Sequence, residues 1–147
     1  MKLINELLDY TKDIEPKNCI LFTANSVVKA NGELVVGAGN ALAAADAVAG
    51  LAKKFGYLVT AEPDKRIHAA LLQDGIIASF QTKLHWKNDS PLWLVEESVL
   101  ALKALAIDHD AWTFHLPMPA VGRGGLSKEL VLPLLEQLPN NVLVYHK

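Results

Sequence analysis

The sequence predicts an α/β domain in three α/β/α layers, with a mixed central sheet covered by helices on both faces. Three observations carry that expectation. Apolar residues recur alternately at helical and at strand spacing along the chain, the pattern of α/β proteins. Asp74-Gly75 stands between two apolar runs, 67–72 and 76–82, a tight-turn signal that would pair them as an antiparallel hairpin. Two glycine runs, at 37–39 and 122–125, each stand between an extended segment and a helical one.

The elements follow in order. Leu3, Ile4, Leu7, Leu8 and Thr11 fit one face of an N-terminal helix. Residues 19–24 form an apolar run of strand length just after Pro16. Residues 34–36 are apolar and stop at Gly37. Leu42, Ala45, Val48, Ala52 and Phe55 recur at helical spacing, with Gly56 as a C-terminal stop. After the hairpin, Ser90 reads as an N-cap and Pro91 as the first helical residue. Leu92, Val95, Val99, Leu102 and Ala106 are the expected buried stripe of that helix. Residues 112–116 are a strand ending before Pro117 and Pro119. Ser127 caps a last helix with Leu130, Leu134, Leu135 and Leu138 on its apolar face, and Pro133 would kink it or mark a preliminary turn. Residues 142–145 close the sheet.

A length of 147 residues fits a single domain spanning 1–147. Hydrophobic residues at 51% against 20% charged exclude a disordered chain. The single cysteine excludes a disulfide framework and a cysteine-based zinc site, and Cys19 reads as a core thiol. With 14 Lys and Arg against 16 Asp and Glu, the formal charge of −2 gives no support for a nucleic-acid partner. No secretory signal and no apolar run of spanning length is read, so a cytoplasmic protein without a membrane partner is expected. The five histidines show no metal-ligand spacing, and no metal or cofactor is expected. His115, within a strand, reads as a hydrogen-bonded structural histidine, and residues 108–110 as a solvated loop. Ser26 and Ser127 have no Ser-His-Asp context.

The chemistry lies in the glycine runs. Gly37-Ala38-Gly39-Asn40 and Gly122-Arg123-Gly124-Gly125 each follow an extended segment and precede a helix. A helix start leaves backbone N–H groups unpaired and carries partial positive charge. Glycine lets the backbone approach a ligand closely. Such turns suit phosphate, and beyond the carboxyl ends of strands they stand where α/β proteins bind ligands. Glycine turns also simply connect elements, so it is the pair that points to a diphosphate-bearing small molecule. A second reading takes Gly37-Ala38-Gly39 as part of a dinucleotide fingerprint, with Glu62 as the ribose-binding acid.

These motifs resemble those of the macrodomains, the ADP-ribose-binding family, from about Cys19 to Tyr145. Residues 19–26 resemble the family's strand that ends in an asparagine, here Asn25. Gly37-Ala38-Gly39-Asn40-Ala41 resembles its first phosphate loop. Pro119-Ala120-Val121-Gly122-Arg123-Gly124-Gly125-Leu126 resembles its second. The motifs are most similar to the branch containing the DarG antitoxin macrodomain and the terminal ADP-ribose protein glycohydrolase. Lys53-Lys54-Phe55-Gly56 is similar to the latter, and Thr82-Lys83-Leu84-His85-Trp86-Lys87 to the former.

The resemblance implies roles. Asn25 would lie near the distal ribose. Gly37, Ala38, Gly39 and Asn40 would hold the diphosphate from one side, and Val121, Gly122, Arg123, Gly124, Gly125 and Leu126 from the other. Lys83 matches a lysine that engages the anomeric carbon of the distal ribose, as nucleophile or base. Asp13 has about the right spacing to Asn25 for reading adenine, with Asn5 and Asp9 as rivals. The partner implied is ADP-ribose or an ADP-ribosylated substrate. The implied activity is hydrolysis of an ADP-ribosyl linkage, and the alternative is an ADP-ribose-binding module without turnover. In the glycohydrolase an acid follows the second loop. Here Ser127 stands nearest, with Glu129 two residues on.

Overall fold

The computed structural model describes residues 1–72 and 76–147. The expected turn at Asp74-Gly75 lies outside the described residues. In chain order the elements are β1 (Lys2–Ile4), β2 (Asn18–Ala24), α1 (Gly39–Ala47), α2 (Leu51–Ala61), β3 (Ile77–Gln81), α3 (Leu92–Asp108), β4 (Thr113–Pro117), α4 (Lys128–Leu135) and β5 (Val142–Tyr145). The strands form one sheet in the order β1-β5-β4-β2-β3.

Alternation along β2 builds the three layers. Cys19 and Leu21 face a core with Val95, Val99, Leu102 and Ala106 of α3 and Val131 and Leu135 of α4. Ile20, Phe22 and Ala24 face the opposite core, with Ala44 of α1 and Leu51, Phe55 and Val59 of α2. Phe22 meets Phe55 edge to face at 4.8 Å. A strand covered on both faces has no polar side to show, which is why residues 19–24 read as a continuous apolar run.

The sheet is parallel throughout, not mixed. Residues 67–72 do run antiparallel along the outer edge of β3. Leu72 N–H donates to the Ile77 carbonyl at 3.0 Å, Ser79 N–H to Ala70 at 3.0 Å and Gln81 N–H to His68 at 3.0 Å. The return bonds go elsewhere. Ala70 N–H donates to the Ser79 hydroxyl at 3.1 Å and Ile67 N–H to Gln81 Oε1 at 2.8 Å. The Ser79 hydroxyl in turn donates to the Ile67 carbonyl at 2.6 Å. Buried side chains thus take bonds that a second strand would need, leaving one isolated bridge, Leu71 with Ala78.

The N-terminus also departs from expectation. Residues 2–4 form an edge strand beside β5 rather than a helix. Leu3 and Leu7, expected to be buried, are exposed. The Met1 ammonium donates to the Leu138 carbonyl at 2.7 Å and holds the edge in place. The long helix expected after Gly37 is two helices, separated at Gly50, which has φ +74°. Gly56 does not stop α2. It lies inside the helix, where a Cβ would stand 2.0 Å from the Gly32 carbonyl oxygen, so glycine is there for close approach to the 29–34 turn. In α3, Leu94 and Ser98 join the buried face and Leu92 is only half-buried. Ser90 and Ser127 make no side-chain capping bond. In α4 the buried positions are Val131 and Leu135, whereas Leu130 is exposed and Pro133 sits within the helix.

His115 is hydrogen-bonded as expected, Nδ1 to the Tyr145 hydroxyl and Nε2 to Asn18 Oδ1, each at 2.7 Å. Burial holds its pKa below the usual imidazole range. Cys19 is fully buried, and burial pushes its thiol up to about 12. No helix among the described residues is long and apolar enough to cross a membrane. No cluster of three or more His, Cys, Asp or Glu among them could hold a metal ion.

Candidate functional site

Parallel pairing sends the carboxyl ends of all five strands to one edge of the sheet. From β2 the chain passes through α1 and α2 to β3, on one side of β2. It then returns through α3 to β4, on the other side. That reversal leaves a crevice beyond the ends of β2 and β4, the place where open α/β sheets bind ligands. A cavity of about 880 Å³ lies there. Thr23 and Ala24 line it at the end of β2, Thr82 just past β3 and Met118 just past β4. Its size is that of a small-molecule site, roughly 300–1,000 Å³.

The first glycine turn forms one wall. Ala38 is extended, and Gly39, at φ +61°, begins α1. The Asn40 side chain fixes this helix start to the sheet. Its Oδ1 accepts the Thr23 N–H and its Nδ2 donates to the Thr23 hydroxyl, both at 2.7 Å. Asn25 fixes the approach to the turn. Its Oδ1 accepts the Val27 N–H at 2.8 Å and its Nδ2 donates to the Val35 carbonyl at 3.0 Å. Gly37 differs from the other glycines of the two turns. Its φ is ordinary, and a Cβ built on it would meet no atom within 4 Å. Neither backbone conformation nor packing within the chain requires glycine at this position.

The second turn forms the facing wall through Val121, Arg123 and Gly124. Residues Gly122–Gly124 make a single 3₁₀ turn that ends at Gly125, with φ +75° at Gly122 and +78° at Gly125. Leu126 N–H donates to the Ala120 carbonyl at 3.0 Å and closes the base of the turn. Gly122, Gly125 and Leu126 therefore shape the turn, and the cavity lining does not include them. Gly125 abuts a carboxylate: a Cβ there would stand 2.6 Å from Asp89 Oδ1.

Lys83 stands between the walls. Thr82 and Lys83 N–H groups both donate to the Ala24 carbonyl, at 2.9 and 3.3 Å, which turns the chain past β3 against the end of β2. The Lys83 ammonium donates to the Arg123 carbonyl at 2.9 Å and to that of Trp86 at 3.4 Å. Trp86 also lines the cavity. Its ring stacks on His85 at 5.3 Å, with the Lys87 ammonium 5.3 Å from its centre. Lys83, Lys87 and Arg123 make the lining cationic, and among the described residues no carboxylate belongs to it. A chain of net charge −2 thus gathers positive charge at one place.

Asn25, Gly37, Ala38, Gly39, Asn40, Lys83, Val121, Arg123 and Gly124 line this one cavity. Asp13 does not join them. It lines a separate cavity of about 210 Å³ with Asn18, Ile20, His115 and Tyr145. Asn18 and Ile20 belong to the first half of β2, whose seven residues separate that end from Ala24 by roughly 20 Å. Glu62, the acid of the dinucleotide reading, flanks the end of α2, and Ser127 and Glu129 lie at the start of α4. None of the three lines the large cavity. Sequence reasoning missed Thr23 and Thr82 there; a threonine in or just past an apolar strand, one or two residues before its end or after it, is the signal that would have found them. It also misread Ser90, which packs against Gly124 from behind.

Solved structures similar to this chain include the macrodomain of Mycobacterium tuberculosis DarG, with a TM-score of 0.70 and 22% identity over 99% of this chain and 97% of that one. The macrodomain of Thermus aquaticus DarG gives a TM-score of 0.67 and 23% identity over the same shares. Thermosipho africanus DarTG in complex with ADP-ribose gives 0.63 and 21%, covering 88% of this chain and 37% of that one. No protein-family model matches the sequence, and no curated protein matches it.

Proposed function

The chain has the macrodomain fold, and on that premise we propose that it binds ADP-ribose in the cavity between its two glycine turns. The observation that carries this reading is Gly37. It is a glycine that the chain's own packing and backbone do not require, in the wall of a cationic cavity whose lining, among the described residues, holds no carboxylate. A phosphate passing close to the backbone supplies the missing requirement. Gly37, Ala38, Gly39 and the start of α1 hold the diphosphate from one side, and the turn at 121–124 holds it from the other. Asn25 sets the loop beside the distal ribose. The ADP-ribose named with Thermosipho africanus DarTG supports the same ligand here. This reading takes residues 1–147 as one domain working in the cytoplasm.

The activity proposed is hydrolysis of an ADP-ribosyl linkage, with water adding to the anomeric carbon and the acceptor leaving with a proton. Lys83 acts at that carbon as nucleophile or base, and to do so it must leave the Arg123 and Trp86 carbonyls. A specific observation favours a second reading, an ADP-ribose-binding module without turnover: among the described residues no carboxylate lines the cavity to share the proton work.

A thermal-shift titration with ADP-ribose, NAD and AMP tests binding. ADP-ribose at 100 times its Kd stabilises the fold by about 2.7 kcal/mol, and at equal concentration it should raise the melt more than the other two. A larger shift with NAD would overturn the assignment. Release of free ADP-ribose from a modified protein or nucleic acid separates the enzyme from the module.

A further inference from the structure

A cradle for a diphosphate must offer N–H groups, yet the second glycine turn offers a carbonyl to the cavity. The Arg123 oxygen accepts from the Lys83 ammonium at 2.9 Å, and both residues belong to the lining. Behind the same turn lies Ser90, only 3% exposed and outside the lining. Its N–H donates to the Gly124 carbonyl at 2.7 Å. Its hydroxyl donates to nothing and accepts from nothing, alone among buried side-chain nitrogen and oxygen atoms of the described residues. A Cβ built on Gly124 would stand 2.8 Å from that oxygen, so the hydroxyl is aimed at the backbone of the turn. Buried hydroxyls without partners are uncommon in folded proteins because their desolvation goes uncompensated.

We propose that Ser90 is a positioning residue of the diphosphate subsite. When ligand binds, the Arg123–Gly124 peptide turns over. Its N–H then points to the phosphate, and its carbonyl passes from Lys83 to the Ser90 hydroxyl. The peptide stays planar and trans; the rotation is taken up by ψ of Arg123 and φ of Gly124. Only glycine at 124 accepts either sign of φ without strain, and only glycine leaves Ser90 room. One movement thus gives the anion a donor, frees Lys83 and satisfies a hydroxyl that has no partner in the free protein. The inference rests on the ADP-ribose reading of this cavity.

Ser90→Ala tests it. The substitution deletes only the hydroxyl, which makes no bond in the free protein. The ligand-free variant should therefore melt no lower than wild type. ADP-ribose affinity by calorimetry should fall roughly two- to tenfold, the worth of one hydrogen bond gained on binding. Carbonyl and amide resonances provide a signature that a merely structural role would not move. In wild type, ADP-ribose should shift the Arg123 ¹³C′ and Gly124 amide signals strongly, and in Ser90→Ala the Arg123 shift should shrink. A lower ligand-free melt, or unchanged affinity with unchanged shifts, overturns the role of Ser90 while leaving the binding site standing. Wild-type protein that binds no ADP-ribose overturns the site reading and this inference together.

Discussion

Replacing Gly37 by valine separates a glycine kept for ligand from one kept for the fold. In the free protein the new Cβ points into open space, and the backbone there is of a kind any residue adopts. Removing glycine also reduces the freedom of the unfolded chain, which stabilises by about 0.4–1 kcal/mol where the native conformation is compatible. For a domain of this length that is a rise in Tm of about 1–4 °C. Binding should respond in the opposite sense. A branched side chain in the wall would hold a phosphate away from the backbone and remove at least one hydrogen bond to a charged group. Such a bond is worth about 1.5–3 kcal/mol, or roughly a 10- to 150-fold loss of ADP-ribose affinity. Calorimetric titration alongside thermal melts of both proteins measures the two effects. Affinity within a factor of two of wild type would refute the reasoning, because the phosphate would then not pass Gly37. Gly124→Val is a poorer test, since its Cβ would meet Ser90 Oγ at 2.8 Å and Ala120 Cβ at 3.3 Å and disturb the free protein as well.

Gly56→Ala should show the converse. Its Cβ would stand 2.0 Å from a backbone oxygen, so the fold should lose about 3 kcal/mol while ADP-ribose affinity, measured well below the melt, is kept. Lys83→Ala should still bind ADP-ribose but release it from a modified substrate at least about 100-fold more slowly; equal rates would remove the lysine from the chemistry. His115 is held neutral by burial, so its folded pKa lies below the unfolded value of about 6.5. The unfolded chain takes the proton first on acidification, and stability present above about pH 6.5 is lost as pH falls through the window below it. His115→Gln should flatten that part of the decline in urea midpoints between pH 7 and pH 5, and parallel declines in both proteins would contradict the assignment.

The strands at the centre of the sheet were legible because burial on both sides leaves a run of apolar residues, as in β2. The edge was not. β1 is short, and Leu3 and Leu7 are exposed, so their spacing reflects no buried face at all. Glycine was ambiguous for a physical reason. Gly50 breaks a helical pattern by adopting positive φ, Gly56 sits inside a helix because a carbonyl crowds it, and Gly37 shows neither property. In sequence the three look alike. Residues 67–72 run back along β3 but do not form the expected second strand. The failure to form a second strand lies in Ser79 and Gln81, whose side chains take backbone bonds. Polar residues in an apolar strand give no warning of which partners they choose.

The same limit decided the site. Both glycine turns were visible because their chemistry is local to the backbone. Asn25 and Asn40 looked like ligand contacts, yet in the free protein the carboxamides of both are bound within the chain and serve to hold the first turn against β2. Net charge says little about such a site. At physiological salt a charge is felt over about 8 Å, so a diphosphate entering the crevice meets Lys83, Lys87 and Arg123 rather than the chain's total of −2. With no carboxylate in the lining among the described residues, those cations favour the anion. On the proposed reading, Lys83 is the group that moves a proton or attacks carbon at the distal ribose. Its two carbonyl partners must release it before it can do either. Binding and chemistry, on this reading, are joined at a single peptide group, because the turn that grips the diphosphate is also the turn that holds the lysine.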